Sequence, residues 1–262
     1  MMAAVTRPAL LLFAALVIPA AQALAQSPTT VFLEDLTWTE ARDAVAAGKT
    51  TVIIPIGGTE QSGPHMALGK HNVRVRALAG KIAAAVGDAL VAPVVAYVPE
   101  RDHMRFAGTV SIPEQTFEAT LQAAARSFRV HGFKDIVFIG DHGGYQKSMA
   151  RAAAALNREW ASTPARAHAI EEYYRAAADE FPKLLRDKGY KDAEIGTHAG
   201  AADTSLMLAI DASLVRADRM RGGHGDGVSG DPSRSSAELG KLGVDLIVNR
   251  TVEAIRKATT RK

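Results

Sequence analysis

Three apolar runs along the chain have the length and pattern of buried β-strands. They cover residues 51–57, 89–98 and 136–140, and each is apolar at successive positions rather than at alternate ones. A strand covered by helices on both faces has this pattern, because both of its faces are buried. We therefore predict three central strands, although Pro55 removes one hydrogen-bond donor from the first.

Segments with apolar residues at helical spacing separate these runs. The pattern predicts a helix with Asn72 as its N-cap and a helix interrupted at Pro182. The predicted helices cover residues 72 to about 86, 113–131, 146–160, 170–188 and 238–257. Strands that alternate with helices favour a mostly parallel sheet with helices on both faces. The predicted fold class is therefore α/β, a three-layer α/β/α sandwich.

The first 25 residues have the pattern of a secretory signal peptide. Arg7 precedes an apolar run over residues 8–21, and Ala23-Leu24-Ala25 forms a small-x-small cleavage site before Gln26. The run is shorter than the roughly 20 residues that cross a bilayer. We expect cleavage, with an uncleaved anchor as the alternative. The mature chain, residues 26–262, is then a single exported domain, periplasmic or secreted and not bound to a membrane.

Composition narrows the chemistry that the chain can carry. It has no cysteine, which excludes thiolate metal ligands and cysteine nucleophiles. Lysine plus arginine exceed aspartate plus glutamate by only 31 to 28, so we expect no nucleic-acid partner. Histidine, carboxylate, serine and lysine side chains remain, and the eight histidines are the first candidates.

Two glycine-rich loops with acidic and imidazole side chains follow two of the predicted strands. Glu60 and His71 lie after the first strand, and His142 lies in Gly140-Asp-His-Gly-Gly144. In a parallel sheet the carboxyl ends of the strands meet at one edge, where ligands bind. One carboxylate and two imidazoles suit Zn, Mn or Fe. Ordinary turns and surface histidines explain the same spacing equally well.

Four sequence blocks are similar to the creatininase (creatinine amidohydrolase) family and occur in the family's order. They are Thr59-Glu-Gln-Ser-Gly-Pro-His65 with Leu68-Gly69, then Phe106-Ala-Gly-Thr109, Gly140-Asp-His-Gly-Gly144 and His198-Ala-Gly-Ala-Ala-Asp-Thr-Ser205. The resemblance covers about residues 31–252. It implies an α/β fold, a metal centre that is typically binuclear, opening of amide bonds, and a homo-oligomer that is often a hexamer.

The resemblance also implies a metal-ligand set, with two departures from the family's pattern. Glu60 and His142 match family ligands, whereas a ligating histidine of the family is Ser62 here and its metal-bridging aspartate is His71. A neutral imidazole offers one lone pair to one metal, while a carboxylate can bridge two. We therefore expect one divalent ion per chain, Zn or Mn with Fe possible, held by Glu60, His71 and His142. Asp203 is a further candidate ligand.

The function that these features imply is metal-assisted hydrolysis of a small-molecule amide, through a hydroxide formed on the ion. His198 is the first candidate for proton transfer to the leaving nitrogen and Asp203 is the second. The expected substrate is a cyclic amide, a lactam or a formamide. Two alternatives remain, namely a non-catalytic binding member of the family, suggested by Ser62 and His71, and a mononuclear non-haem iron enzyme.

Overall fold

The computed structural model describes residues 30–100, 102–220 and 227–260, and a parallel sheet forms their centre. The sheet has four strands in the order β2–β1–β3–β4, and every neighbouring pair is parallel. The strands are β1 Thr51–Ile56, β2 Ala89–Val91, β3 Asp135–Gly140 and β4 Arg166–Ala169. The predicted signal peptide, residues 1–25, lies outside the described residues. Within the part described, no helix is both long and apolar enough to cross a membrane.

Helices cover both faces of the sheet. They are α1 Trp38–Ala46, α2 Lys70–Val86, α3 Glu114–Val130, α4 Gln146–Glu159, α5 Glu172–Arg175, α6 Phe181–Asp187, α7 Asp192–Ile195, α8 Ala201–Asp211 and α9 Ala237–Thr259. Alternate residues of the strands pack into two separate cores. Val52 and Phe138 pack with α3 and α4, whereas Ile53 and Val137 pack with α2, α8 and α9. The predicted three-layer α/β/α fold is confirmed.

Pro55 is compatible with a central strand because its neighbour on one side has already ended. Its carbonyl oxygen accepts from Val95 N at 2.9 Å, on the side where β2 ends at Val91. In a parallel strand the N–H and C=O of one residue point to the same side, so the missing donor faces no β2 residue. The predicted strand over residues 89–98 is wrong beyond Val91, since Pro93 cannot continue the ladder.

Helix α2 begins two residues before the predicted N-cap. Asn72 lies inside the first turn, and its side-chain oxygen accepts from Gly58 N at 2.9 Å, which ties the helix to the loop after β1. The shift places Lys70 and His71 at the N-terminus of α2, one turn before Arg74. All three side chains are buried at the carboxyl edge of the sheet.

The predicted interruption near Pro182 is a change of helix type. A π-helical turn, Ala176–Glu180, connects α5 to α6, and Pro182 lies in the first turn of α6, where its missing N–H is tolerated. The sequence did not predict β4, which has only four residues and carries Arg166 and His168 among two alanines.

Candidate metal centre

The loops that follow β1 and β3 bring Glu60 and His142 together with His71 from the start of α2. Glu60 is fully buried. Its Oε1 lies 2.7 Å from His71 Nε2, and its Oε2 lies 3.5 Å from His142 Nε2. The structure therefore gathers three of the residues that the sequence predicted as metal ligands, and the carboxyl edge of the sheet is where they meet.

His71 contacts a carboxylate with each of its ring nitrogens. Nε2 bonds Glu60, and Nδ1 lies 2.6 Å from Asp141 Oδ2. A carboxylate oxygen only accepts, so both bonds form together when both ring nitrogens carry a proton. In this arrangement His71 has no lone pair to offer a metal, and its predicted role as a ligand stays a prediction.

Asp203, the other residue with a predicted metal role, is held by two cations and a backbone amide. It pairs with Lys70 Nζ, accepts from Arg74 Nη1 at 2.5 Å and accepts from Ala199 N at 3.1 Å. Burial acts to raise the pKa of Asp203, but the charges of Lys70 and Arg74 outweigh it and hold that pKa well below the usual range.

These contacts form one buried network of alternating charges. A lysine, a histidine and an arginine side chain come from the first two turns of α2, and three carboxylates come from the loops after β1 and β3 and from α8. The network consists of Lys70, His71, Arg74, Glu60, Asp141 and Asp203. The charges of Lys70 and Arg74 and the hydrogen bonds of His71 compensate the carboxylates on this side of Glu60.

Two residues that the sequence analysis did not assign lie on the other side of Glu60. Glu100 is buried, and its Oε2 lies 3.3 Å from His142 Nδ1. His103 Nε2 lies 3.9 Å from Glu60 Oε2. Burial and the nearby charge of Glu60 raise the pKa of Glu100 to about 9. A signal was present in the sequence, since Glu100 and His103 follow the apolar run that contains β2, at the same edge of the sheet.

His198 lies on the turn before α8, next to a strained backbone position. Ala199 has φ 57°, a left-handed conformation that residues other than glycine adopt rarely, and Asp203 accepts from its amide. His198 Nε2 lies 3.0 Å from Gln61 O, and the ring stacks on His103 with centroids 4.4 Å apart. Burial and the charge of Lys70 lower the pKa of His198 to about 4, so its imidazole is neutral near pH 7.

A cleft of about 490 Å³ opens onto this group of side chains. Its walls include His142, His198 and Asp203, together with Tyr174 from α5 and Ser229. The volume lies within the range of roughly 300–1,000 Å³ that is typical of small-molecule sites. The predicted catalytic residues therefore line a space that can hold a substrate next to His142, whereas Glu60 lies behind its walls.

The metal-free protein is expected to lose stability as the pH falls from about 6.5 to about 4. Burial lowers the pKa of both His142 and His198 to about 4, whereas histidines in an unfolded chain titrate near 6.5. Between these values the unfolded chain binds more protons than the folded chain, so acid favours unfolding. The expected loss is at most about 3 kcal/mol for each histidine.

Urea unfolding of the metal-free protein at about pH 7 and about pH 4.5 measures this dependence. The variant His142→Gln should show a smaller difference in unfolding free energy between the two pH values than the wild type shows. His131→Gln is the matched control, because His131 is an exposed residue at the C-terminus of α3. Equal pH dependence in the wild type and in His142→Gln would contradict the assignment.

Comparison with known proteins gives a consistent set of similarities. A family model described as creatininase, creatinine amidohydrolase, matches residues 34–255. A mycofactocin precursor peptide peptidase from Mycolicibacterium smegmatis is 30% identical over 234 residues, which cover 79% of this chain and 84% of that protein. A creatinine amidohydrolase from Pseudomonas putida is 29% identical over 203 residues, 73% of this chain and 76% of that protein.

Solved structures match the fold over most of the chain. A crystal structure of creatinine amidohydrolase has a TM-score of 0.76 at 26% identity and covers 90% of this chain and 100% of its own. A manganese form of creatininase has a TM-score of 0.75 at 27% identity, covering 88% and 100%. A variant creatininase described as Zn-Zn type has a TM-score of 0.74 at 26% identity, covering 89% and 100%.

Proposed function

The chain belongs to the creatininase family, and from this membership we propose a hydrolase that uses one divalent metal ion to open an amide bond of a small molecule. The family and its metal-bound structures make it a metal-dependent amidohydrolase. Three points are parts of the proposal. One ion binds per chain, the ion is Zn or Mn before Fe, and the substrate is a cyclic amide, a lactam or a formamide.

The environment of the Glu60 carboxylate is the main observation that supports this function. Among the residues that the structure describes, no nitrogen donates to Glu60 Oε2, although the atom is buried. A buried carboxylate oxygen without a donor is costly unless a cation or a proton neutralises it. His142 Nε2 lies 3.5 Å from this oxygen. An imidazole nitrogen and a carboxylate oxygen at this separation fit a divalent ion between them. When bound, such an ion polarises an amide carbonyl and acidifies water.

The charges on the Oε1 side of Glu60 support a single ion. Lys70 Nζ lies 3.9 Å from that oxygen and His71 Nε2 lies 2.7 Å from it. The charge of Lys70 repels a second cation, and Ser62 replaces the imidazole that the family resemblance implies for it. We therefore propose that the charge of Lys70 and the hydrogen bond with His71 compensate Glu60 Oε1 where the family resemblance implies a second ion.

His198 is the group proposed to move a proton. His198 Nε2 lies 3.0 Å from both the backbone oxygen and the side-chain nitrogen of Gln61. When Nε2 donates to the backbone oxygen, the lone pair is on Nδ1, which lies 3.8 Å from Glu60 Oε1. A neutral imidazole there can take a proton from water and return it to the leaving nitrogen. Asp203, bound to Lys70 and Arg74, is proposed to hold Ala199 and thereby to position His198.

The cleft and the relatives define the substrates to be tested. The similar proteins are named for a small ring amide, creatinine, and for a precursor peptide, and a cleft of about 490 Å³ has room for more than a small ring. We also propose export, from residues 1–25, and a homo-oligomer, from the family resemblance. Fractionation of cells and the solution mass of the purified protein test these two points.

The test is a screen of lactams, formamides, cyclic amides and short peptides with Zn-loaded and Mn-loaded protein. The wild type is expected to hydrolyse at least one class. His198→Asn is expected to keep the metal and lose about 10²–10⁴-fold in turnover, the usual contribution of a positioned acid–base group. His168→Asn is the matched control, because His168 lies on β4 and bonds Asp135 at 2.9 Å, away from the cleft.

Three results would contradict the proposal. Full turnover by His198→Asn would remove its role in proton transfer. Metal binding without hydrolysis of any amide class would favour a non-catalytic binding member of the family. Turnover that requires iron and oxygen would favour the oxidative alternative.

A further inference from the structure

Glu60 Oε2 points away from the buried charge network and toward a second group of donors. Glu60, Glu100 and His103 each place one donor atom within 4.8 Å of the other two. Glu100 is buried, and His103 is partly buried, with its side chain 22% exposed. Both residues belong to the segment between β2 and α3, which the family resemblance did not assign to the metal.

The distances around Glu60 show which neighbouring atoms are far enough from it to hold an ion between them and which are hydrogen-bonded to it. Two donors that hold one ion at about 2.1 Å with a tetrahedral angle are about 3.4 Å apart. Glu60 Oε2 lies 3.5 Å from His142 Nε2 and 3.9 Å from His103 Nε2, close to that separation. Glu60 Oε1 lies 2.7 Å from His71 Nε2, which is a hydrogen-bond distance. His198 Nδ1 also lies 3.8 Å from Oε1, but the charge of Lys70, 3.9 Å from the same oxygen, repels a cation there. Space for an ion is therefore on the Oε2 side.

The charges on the Oε2 side of Glu60 also favour a bound cation. Glu60 and Glu100 are both buried, and their carboxyl groups face each other. Two carboxylates this close cannot both stay ionised unless a proton or a cation lies between them. The charge of Lys70 and the hydrogen bond with His71 are on the Oε1 side of Glu60. A divalent ion with two carboxylate oxygens and two imidazole nitrogens is neutral overall and has donors suited to Zn or Mn.

We propose that Glu100 and His103, together with Glu60 and His142, form the metal site of this chain. They take the places in the ligand set that the sequence analysis predicts for His71 and Asp203. The inference rests on the proposed metal dependence, but it does not depend on which amide is the substrate.

Hydrogen bonds around the site set the form of each histidine ligand. His142 Nδ1 accepts from Gly144 N at 3.2 Å, and Glu100 Oε2 lies 3.3 Å from the same nitrogen. Ligation by Nε2 requires the ring proton to move to Nδ1, where Glu100 Oε2 would accept it in place of the Gly144 contact. Ligation by His103 Nε2 puts the ring proton on Nδ1, 2.8 Å from the side-chain amide of Gln61. In the structure that amide turns its nitrogen to His103 and its oxygen accepts from Gly63 N at 2.9 Å, so ligation requires the amide to rotate and to give up the Gly63 contact.

The test measures binding of Zn²⁺ and Co²⁺ to the purified mature protein after its metal has been removed. Calorimetry with Zn²⁺ gives the number of ions and the affinity, and the visible absorption of bound Co²⁺ reports the ligand set. The variants are Glu100→Gln, His103→Gln and His71→Gln. Asp102→Asn is the matched control, since Asp102 is an exposed acid between the two proposed ligands. Thermal unfolding checks that each variant is folded.

The wild type is expected to bind one ion. Glu100→Gln and His103→Gln should each weaken Zn²⁺ binding by more than about 100-fold and change the Co²⁺ spectrum, because loss of a ligand exceeds the cost of losing a ligand's hydrogen-bond partner. His71→Gln should cost about 10–100-fold and leave the Co²⁺ bands unchanged, as expected for a group that only orients Glu60. Asp102→Asn should bind like the wild type.

The opposite pattern would overturn the inference. If His71→Gln changes the Co²⁺ bands while Glu100→Gln and His103→Gln bind like the wild type, the ligand set is the one that the sequence predicted. A wild-type protein that binds neither ion overturns the metal site and the single-ion proposal together. A protein that binds one ion through Glu100 and His103 but hydrolyses no amide contradicts the proposed function alone.

Discussion

Replacing Glu60 with glutamine is expected to abolish metal binding and turnover together. Glutamine keeps the shape of the side chain, but it removes the negative charge that faces His142 and puts an amide donor or a neutral oxygen in its place. Burial acts to raise the pKa of Glu60, yet the hydrogen bond with His71 and the charge of Lys70 hold it far below the usual range, so the wild-type group is ionised. Affinity for Zn²⁺ should fall by more than about 100-fold.

Metal content after dialysis and amide turnover at saturating Zn²⁺ measure this effect. Glu159→Gln is the control, because Glu159 is a partly exposed glutamate that pairs with Arg126 at the surface. That variant should keep the wild-type metal content and turnover. Retention of one ion by Glu60→Gln would show that the buried carboxylate does not hold the metal, and it would contradict every ligand set considered for this chain.

Replacing Arg74 with methionine is expected to cause the largest loss of stability. Arg74 is buried and donates to both Asp141 and Asp203, and it holds their charges in place. Methionine fills much of the volume but leaves two buried carboxylates with less compensation. Breaking a buried pair by removing one partner costs about 3–5 kcal/mol. For a chain of this size the Tm should fall by roughly 6–20 °C.

Thermal unfolding of the metal-free protein measures the loss, with Arg76→Met as the matched control on the same helix. Arg76 pairs with Glu34 at 2.9 Å, and both side chains are 41% exposed. Exposed pairs contribute only about 0–1 kcal/mol, so the control should change the Tm by a few degrees at most. A loss in Arg74→Met no larger than that in Arg76→Met would show that the network is not held by its buried cation.

The sheet and most of its helices could be predicted from the sequence because their patterns are local. Continuous apolar runs such as residues 51–57 have no polar face to present to water, so only a position between two helical layers buries them. The ends of helices and strands are harder to predict where a single side chain determines them. Pro93 ends β2, and the bond from Asn72 to Gly58 moves the start of α2.

The candidate site was predicted in part, because some of its residues belong to local sequence patterns. Glu60, His142 and His198 stand in blocks whose order along the chain is similar to a family's, and their gathering at one edge follows from a parallel sheet. Glu100 and His103 stand outside those blocks. Their closeness to Glu60 depends on the path of the chain after β2, and no local pattern in the sequence fixes that path.

Local patterns in the sequence are enough to predict the fold class, the family resemblance and the residues that meet at the carboxyl edge of the sheet. The partners of each side chain follow from the packing of the folded chain. The sequence predicts His71 as a ligand because an imidazole can bind a metal, and the fold places carboxylates against both of its nitrogens. Hydrogen bonds and ion pairs depend on atoms a few ångströms apart in space, and those distances arise when β1, β3 and α2 pack together.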